Sequence, residues 1–361
     1  MIVLGVKLDG IYGFDHFEID FTYPKKIVNS LIDDEYLEGR ERFRYKKAVV
    51  LMGANATGKT SLGKALNDIF NLFQFGFSNE IYEMASEKEA HFSIDFVHDG
   101  PVLHRYEGWI YKEAKNYAYR EMIAEIGKND SYEMCLVKLK EIAPQENADD
   151  RYSHKRLNHR LNYRFSVPGT RNKGQDLKQK GLLRSLKAVL GTLDPSLTEV
   201  AVSHDLANSF IVRRGSQEII IQDGKLLNGG ILSSGTKEGV DIAILLASIM
   251  NKEPGFYYCD ERFSYIQSDL EKRIFGLMLD HLPSGSQLIF TTHNTDMLDL
   301  NLPKHSYMFL RKRKEADELK VDAISGSDYL KRNTDSMRSA VENDVFSSLP
   351  DDTLLNELEK E

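Results

Sequence analysis

Apolar and polar residues alternate through the first third of the chain, a pattern typical of half-buried β-strands. Residues 1–8 and 14–21 each show this alternation. Three more alternating segments, 91–99, 103–112 and 117–126, are separated by Gly and Asp turns. We predict two strands in the first 25 residues and, since strands joined by short turns pair in opposite directions, a small antiparallel sheet formed by the three later segments.

A second group of short alternating segments follows in the middle of the chain, at residues 198–205, 209–215 and 217–224. Their spacing predicts a second meander of short strands. The next segment, 236–251, has its apolar residues at helical spacing. We therefore predict that this meander leads into a long helix.

Three runs of the sequence are apolar without alternation, which is the pattern of strands buried on both faces. They lie within residues 47–52, 255–261 and 286–294, and apolar residues at helical spacing over 61–73 follow the first run. The last two runs end in polar residues, and α/β proteins place their chemistry at such strand ends. The pattern therefore predicts an α/β fold whose site lies where these strands end.

The sequence GANATGKT at residues 53–60 fits the pattern G-x-x-x-x-G-K-[ST] in full. It lies between a predicted strand and a predicted helix, where backbone N–H groups and the positive helix end hold triphosphate oxygens. We predict that Lys59 neutralises the β- and γ-phosphates of ATP and that the Thr60 hydroxyl binds Mg²⁺. The residues predicted to bind the nucleotide are Gly53, Asn55, Ala56, Thr57, Gly58, Lys59, Thr60 and Ser61.

Acidic residues and a histidine stand at the ends of the other two apolar runs. Asp260 suits the Mg²⁺ partner that phosphate-loop enzymes require. Glu261 is placed to orient or deprotonate the attacking water, and His293 is placed to touch the γ-phosphate. Strand-terminal acids and exposed histidines are also common surface features, so these assignments depend on the complete phosphate loop upstream.

Five motifs occur in the order in which they are found in an ATP-binding-cassette ATPase head, and the chain resembles that family. They are the phosphate loop, LSSGT at 232–236, FYYCDE at 256–261, a D-loop-like RFSYIQ at 262–267 and TTHN at 291–294. The resemblance implies a homodimer with ATP sandwiched between the subunits. In such a dimer Ser233, Ser234 and Gly235 of one subunit would close over the γ-phosphate held by the phosphate loop of the other. The alternative for LSSGT is a simple helix cap.

The chain more specifically resembles the bacterial AAA family ATPases grouped with the overcoming-lysogenization-defect and abortive-infection proteins. In its signature, Ser234 replaces the first glycine of the transporter motif and Thr236 replaces the glutamine. In its D-loop-like segment Ser264 is retained, whereas Ile266 and Gln267 stand where many relatives have Leu-His. The resemblance implies a P-loop NTPase of the ABC-ATPase head type, with a mixed central sheet, an antiparallel β subdomain and a helical signature lobe.

The resemblance spans nearly the whole chain and implies a single ATPase domain of two lobes over residues 1–361. Within it we expect a basic inserted segment at 127–197 and an acidic C-terminal tail at 330–361. Residues 151–187 contain eleven Lys or Arg and one acid, about +10, in a chain of net charge −8. This segment could bind nucleic acid, bind an acidic partner protein, or form a solvated surface.

Aromatic and imidazole rings interleave with the cations of the basic segment and could stack on bases. These residues are Tyr152, His154, His159, Tyr163 and Phe165. We take Arg156, Arg160 and Arg164 to be part of the binding surface. The segment therefore predicts a nucleic-acid or partner contact whose occupant could bias closure of the ATP dimer.

The remaining composition narrows the setting of the protein. Two cysteines, Cys135 and Cys259, form neither a disulfide framework nor a metal cluster, which indicates a reducing cytoplasm. No run of 18 apolar residues occurs, so we expect no membrane span. A Q-loop glutamine has no good candidate, since Gln74 and Gln145 both fit poorly.

Our leading functional hypothesis is an ATP-driven dimeric switch that senses or restrains something in an anti-phage defence system with a separate effector protein. No Asp-x-Asp pair of a Toprim nuclease follows His293, and we see no HNH pattern, so any destructive activity is expected from a partner. The alternative is a RecF-like ATPase of DNA repair or recombination in which the basic segment grips DNA. A transporter role is disfavoured because no feature for coupling to a membrane partner is evident.

Overall fold

The computed structural model describes residues 1–27, 30–76, 80–98, 100–141, 161–168, 170, 179–252, 254–315, 318–332 and 334–349. Its strands are β1 (Ile2–Asp9), β2 (Phe17–Asp20), β3 (Tyr36–Leu37), β4 (Arg40–Arg44), β5 (Ala48–Met52), β6 (Glu89–Val97), β7 (Val102–Tyr111), β8 (Asn116–Glu125), β9 (Lys140–Glu141), β10 (Tyr163–Ser166), β11 (Glu199–Val202), β12 (Ser209–Arg214), β13 (Gln217–Gln222), β14 (Lys225–Leu226), β15 (Phe256–Asp260), β16 (Gln287–Thr291), β17 (Tyr307–Glu315) and β18 (Glu318–Ser325). Its α-helices are α1 (Lys59–Phe75), α2 (Glu80–Met84), α3 (Tyr132–Lys138), α4 (Gln179–Leu193), α5 (Ser234–Met250), α6 (Ser268–Asp280), α7 (Gly326–Tyr329) and α8 (Met337–Glu342).

A six-stranded mixed sheet lies at the centre of the fold, in the strand order β10-β15-β16-β5-β17-β18. The first five strands are parallel, and β18 pairs antiparallel with β17. Every residue of β5, β15 and β16 is buried, which explains why these segments are continuously apolar. The predicted α/β fold with a mixed central sheet is confirmed.

Successive residues of the central strands face two separate hydrophobic cores. In β15, Phe256 and Tyr258 pack in the core that contains α1. Tyr257 and Cys259 pack in the core that contains α5 and α6. The alternation follows from the pleat of the strand. The helix that begins with the phosphate loop and the helix that begins with the signature therefore lie on opposite faces of one sheet.

A second six-stranded sheet, in the order β2-β1-β6-β7-β8-β9, is antiparallel and packs on the α1 side. Phe73 of α1 contacts Phe96 and Tyr106 of this sheet, with ring centroids 5.1 Å and 4.9 Å apart. The alternating segments predicted between residues 91 and 126 form β6, β7 and β8, which pair as successive hairpins. The predicted antiparallel subdomain is confirmed.

The signature segment belongs to a lobe made of α4, α5 and the four-stranded antiparallel sheet β11-β12-β13-β14. The two helices approach closely at Gly239, where a side chain would lie 2.6 Å from Leu193. On α4, Leu186 and Leu190 are buried while Arg184 and Lys187 are exposed. The second meander leads into α5 as predicted, and α4 is an addition from within the basic segment.

Part of the basic segment lies in the core instead of on the surface. Residues 163–166 form β10 beside β15, and Tyr163 and Phe165 each contact Phe70 with ring centroids 5.4 Å apart. The prediction that these two rings stack on bases is therefore wrong, because strand alternation points both into the core. Arg164 is also buried, so its assignment to a binding surface is wrong as well.

The other residues proposed for that surface lie outside the described part of the chain: Tyr152, His154, Arg156, His159 and Arg160. Beyond residue 294, where the sequence suggested no elements, the structure adds the hairpin β17–β18 and the helices α7 and α8. Met337 and Val341 of α8 pack into the core of the signature side, so the predicted acidic tail begins with an ordered helix. Among the described helices, none is both long and apolar enough to cross a bilayer.

We predict that Arg164→Glu destabilises the fold by about 3 kcal/mol, because it places a carboxylate in a buried position near Asp241. Arg184→Glu on the exposed face of α4 is the matched control and is expected to change stability by less than about 0.5 kcal/mol. Chemical denaturation of both variants measures the difference. Equal unfolding midpoints for the two would contradict the burial of Arg164.

Candidate active site

The phosphate loop connects β5 to α1, and close contacts require two of its glycines. A side chain at Gly53, where φ is 149°, would lie 2.3 Å from the carbonyl oxygen of Leu310. A side chain at Gly58, where φ is 98°, would lie 2.7 Å from the ring of Phe14. Glycine adopts such backbone conformations without a steric penalty. The loop is thus pressed between β17 and the β1–β2 turn, and α1 begins directly after it at Lys59.

Lys59 is buried within the loop, with 3% of its side chain exposed. Its ammonium group donates to the carbonyl oxygens of Gly53 at 2.8 Å and Ala54 at 3.1 Å, and it lies 3.3 Å from Glu261 Oε1. Burial lowers the pKa of Lys59, and the neighbouring Glu261 carboxylate opposes that shift. The cation is therefore already positioned inside the loop, and its partners are two carbonyls and one carboxylate.

Asp260 ends β15 as a buried carboxylate that accepts two hydroxyl hydrogen bonds. Thr60 Oγ1 donates to Oδ2 at 2.6 Å, and Thr291 Oγ1 donates to Oδ1 at 2.9 Å. Burial raises the pKa of Asp260, while these two hydrogen bonds oppose the shift. A carboxylate beside a threonine hydroxyl is an oxygen-only donor set, which is the kind that Mg²⁺ prefers. The residues present therefore fit a magnesium ion.

Glu261 and His293 are in contact, although 32 positions separate them in the sequence. His293 Nε2 lies 2.8 Å from Glu261 Oε1, and this hydrogen bond holds the pKa of Glu261 below its ordinary value. The Glu261 backbone has φ of 49° and donates its N–H to Thr291 Oγ1 at 3.0 Å. Glu261 is therefore an ionised acceptor near neutral pH, aimed into the site by a left-handed backbone conformation.

Two residues that hold this geometry were missed by sequence reasoning. Thr291 lies directly opposite Asp260 in the parallel register of β15 and β16. Tyr258 donates its hydroxyl to the Lys59 carbonyl oxygen at 2.7 Å and so fixes the first turn of α1 on the sheet. The polar end of the apolar run before His293 was a signal for Thr291. No sequence signal pointed to Tyr258. Tyr257 and Tyr258 look alike in the sequence, and only the structure shows that they face different cores.

Two cavities open beside the phosphate loop, with volumes of about 380 and 1240 Å³. Of the predicted loop residues, those lining the smaller cavity are Ala56, Gly58, Lys59, Thr60 and Ser61. Gly53, Asn55 and Thr57 line the larger cavity, and His293 lines it as well. Glu261 lines both. The structure therefore brings the phosphate loop, Glu261 and His293 together around two cavities that share Glu261 as a lining residue.

Lys312 on β17 also lines both cavities, and Lys314 lines the larger one. These lysines alternate with Arg311 and Arg313, which pair with Asp322 on β18. Arg311 also lines the larger cavity, so three cations of β17 lie at the cavities, and one of them is paired with Asp322. The sequence analysis missed this feature because the run RKRK at 311–314 does not show which of its cations lie near the phosphate loop.

The signature residues are not part of this assembly within one chain. Ser233 caps α5 by accepting from Thr236 N at 3.1 Å, and Ser234 is the first residue of that helix. A side chain at Gly235 would lie 2.7 Å from the Tyr265 carbonyl oxygen, so the signature abuts the D-loop-like segment. Neither described cavity is lined by Ser233, Ser234 or Gly235. The geometry shows the helix cap, and the role of these residues across a dimer stays a prediction.

The poor fit of Gln74 as a Q-loop residue has a structural reason. Its side chain lies in the last turn of α1 and accepts a hydrogen bond from Leu161 N at 2.6 Å. Gln145 lies outside the described residues. A cluster that the sequence did not suggest, Asp9, Asp15 and His16, lies at the β1–β2 turn with its ligand atoms within 4.8 Å of one another.

Comparisons with known proteins agree with this geometry. Residues 48–299 match the family described as "AAA domain, putative AbiEii toxin, Type IV TA system". An SMC head bound to the C-winged helix domain of ScpA is 13% identical with a TM-score of 0.50, covering 90% of this chain and 98% of that chain. A Pyrococcus furiosus Smc head bound to the C-terminal domain of ScpA is 12% identical with a TM-score of 0.50, covering 90% and 96%. At such identities the likeness shows the fold, that of an ABC-type ATPase head. A search among curated proteins finds no match.

We predict that Asp260→Asn makes the unliganded protein more stable while abolishing Mg²⁺-dependent nucleotide binding. The folded-state pKa of Asp260 is raised, so the folded chain holds this proton more tightly than the unfolded chain. The carboxylate therefore costs stability as pH rises above its unfolded pKa, and the neutral amide removes that cost. Thermal unfolding without ligand is expected to show a melting temperature a few degrees above wild type at pH 7, with the difference shrinking at acidic pH.

Asp280→Asn, an exposed carboxylate at the end of α6, is the matched control for the Asp260 variant. It is expected to change neither the melting temperature nor nucleotide binding. An Asp260→Asn protein that melts below wild type at pH 7 would show that the carboxylate stabilises the unliganded site.

Proposed function

This chain belongs to the AAA domain family that matches residues 48–299, and we propose that it is an ATP-driven dimeric switch of a bacterial anti-phage defence system. The family match and the fold agree that the chain is an ATPase of the ABC type. The proposal adds the chemistry of named residues, a composite dimer site and a separate effector.

One observation carries the chemistry: the buried Lys59 and the half-buried Thr60 of the phosphate loop lie against two acidic residues and a histidine that follow neighbouring strands. In the proposed site the loop binds the triphosphate, and Lys59 exchanges its carbonyl partners for phosphate oxygens. Thr60 and Asp260 hold Mg²⁺, which when bound neutralises the phosphate charge. Glu261 accepts a proton from the attacking water, and His293 orients Glu261 and approaches the γ-phosphate.

The proposed dimer is supported by the exposure of the signature residues and of the neighbouring D-loop-like segment in a single chain. Ser233 and Ser234 are exposed at the start of α5, away from the cavities of their own chain. Tyr265, beside Gly235, has 69% of its surface exposed although it is a large aromatic residue. In a head-to-tail dimer these groups would cover the phosphate loop of the other subunit, and the helix N-terminus would face the γ-phosphate. ATP would then act as the bridge between two subunits.

The defence role is supported by the family description, which names a toxin of a type IV TA system. The two SMC heads of similar fold were each solved with a domain of a partner protein bound. We propose likewise that a separate protein reads the closed and open states of this chain. The RecF-like alternative loses part of its basis, because Tyr163, Arg164 and Phe165 are not available on the surface.

We predict that Glu261→Gln retains ATP binding but lowers kcat at least about a hundredfold, because the amide cannot accept the water's proton. Lys59→Ala is expected to lose ATP affinity itself. Light scattering with and without Mg-ATP is expected to show a dimer for Glu261→Gln and a monomer for Lys59→Ala. Undiminished turnover in Glu261→Gln would remove this residue from the reaction.

Mixed dimers test the composite site directly. A Lys59→Ala chain combined with a Ser233→Arg chain would form one site with both defects and one site with neither. Turnover is therefore expected to rise on mixing two inactive proteins. No recovery from a mixture that does form dimers would contradict the head-to-tail arrangement.

A further inference from the structure

Glu271 is a buried glutamate on α6 that binds both neighbours of His293. Thr292 Oγ1 donates to Glu271 Oε1 at 2.7 Å, and Asn294 Nδ2 donates to Oε2 at 2.6 Å. Only 2% of the Glu271 surface is exposed. The two oxygens of one carboxylate therefore hold the residues on either side of the histidine, one oxygen each.

The turn that carries His293 is tied down further by its own hydrogen bonds. Asn294 N donates to Thr292 Oγ1 at 3.0 Å, and Asn294 Nδ2 also donates to Ser268 Oγ at 2.8 Å. Both Ser268 and Glu271 belong to α6, so this helix binds the turn at two points one helical turn apart. His293 projects from this turn with 38% of its side chain exposed and reaches Glu261 at 2.8 Å.

Burying the Glu271 carboxylate costs desolvation free energy. Burial raises the pKa of Glu271, and the hydrogen bonds from Thr292 and Asn294 oppose that shift. A glutamine would avoid the cost of charge, but it has one accepting atom, so it could keep the Asn294 bond only if its NH₂ group donated to the Thr292 hydroxyl, which would reverse that hydrogen bond. A carboxylate accepts from both neighbours of His293 in the arrangement seen, one oxygen each, and a neutral amide does not.

We propose that Glu271 is a positioning residue for the ATPase reaction, which holds the His293 turn so that the imidazole stays on Glu261. The inference rests on the proposed roles of Glu261 and His293 and adds a residue that does not touch the nucleotide. Loss of this anchor frees the turn and lengthens the 2.8 Å contact on which the orientation of Glu261 depends. Phosphate binding is made on the other side of Glu261, by the loop after β5, and is unaffected.

The test compares Glu271→Gln with Asp269→Asn, a matched carboxylate-to-amide change on the same helix whose side chain is 93% exposed. Glu271→Gln is expected to lower kcat about tenfold or more with KM for ATP within about twofold of wild type. Asp269→Asn is expected to leave both unchanged. A Glu271→Gln protein with wild-type kcat, while Glu261→Gln is inactive, overturns the positioning role and leaves the proposed function intact.

A double-mutant cycle separates positioning from general support of the fold. If Glu271 acts through His293, Glu271→Gln has less than about a twofold further effect on kcat in a His293→Ala background, since groups acting as one unit are non-additive. Full additivity of the two changes overturns the proposal. Wild-type turnover in both His293→Ala and Glu261→Gln would instead refute the proposed chemistry.

The position of the His293 side chain can also be followed by NMR in the absence of ATP turnover. The side-chain ¹⁵N signals of His293, identified by their loss in His293→Ala, are expected to shift in Glu271→Gln and to stay in place in Asp269→Asn. The expected Glu271→Gln shift occurs below the unfolding transition, so it reports the turn and not global unfolding. Unmoved His293 signals in Glu271→Gln would refute the anchor.

Discussion

The buried carboxylate of Asp260 is the contact on which the site depends. It ends β15, it accepts from Thr60 at the start of α1, and it accepts from Thr291 at the end of β16. Three elements that are far apart in the sequence thereby meet on two oxygen atoms. Once parallel register sets Asp260 opposite Thr291, the residues that follow each strand, Glu261 and His293, come within hydrogen-bonding distance.

The unliganded site neutralises its own charges. Lys59 lies between two loop carbonyls and Glu261, and Glu261 lies between Lys59 and His293. Such a chain of paired groups tolerates burial because no charge is left alone. In the proposed mechanism a triphosphate entering the loop would compete for Lys59 and leave Glu261 with His293 as its remaining partner. Nucleotide binding and the release of Glu261 from the lysine would then be one electrostatic event.

The predicted residues that the structure brings together are those whose sequence signal is contiguous. The phosphate loop spans eight residues, and Asp260, Glu261 and His293 each follow an apolar run that indicates a buried strand. The alternating sheets were recovered because period-two patterns are local. Glu271 and Lys312 could not be found in this way, since one acts across a helix–turn contact and the other depends on which face of a strand it occupies.

The basic segment shows the opposite failure, in which a local signal misled. High positive charge around residues 151–187 suggested a surface throughout, but four of these residues complete the central sheet as β10. The alternation of Tyr163 and Phe165 was legible as a strand only with knowledge of the neighbour β15. The net charge of a segment describes all of its residues together, whereas burial differs from one residue to the next. A four-residue buried strand therefore does not show in the net charge of the segment that contains it.

The division of the central sheet between two cores also limits how this protein can diverge. No residue of β5, β15 or β16 faces solvent, so a polar substitution at one of their apolar positions would bury a polar group and is expected to destabilise the fold. A change of side-chain volume on one face requires a compensating change in the helix packed on that face. That helix is α1 on one side, and α5 and α6 lie on the other. Substitutions are therefore expected to be tolerated more readily in the outer sheets and loops than in these fifteen buried residues.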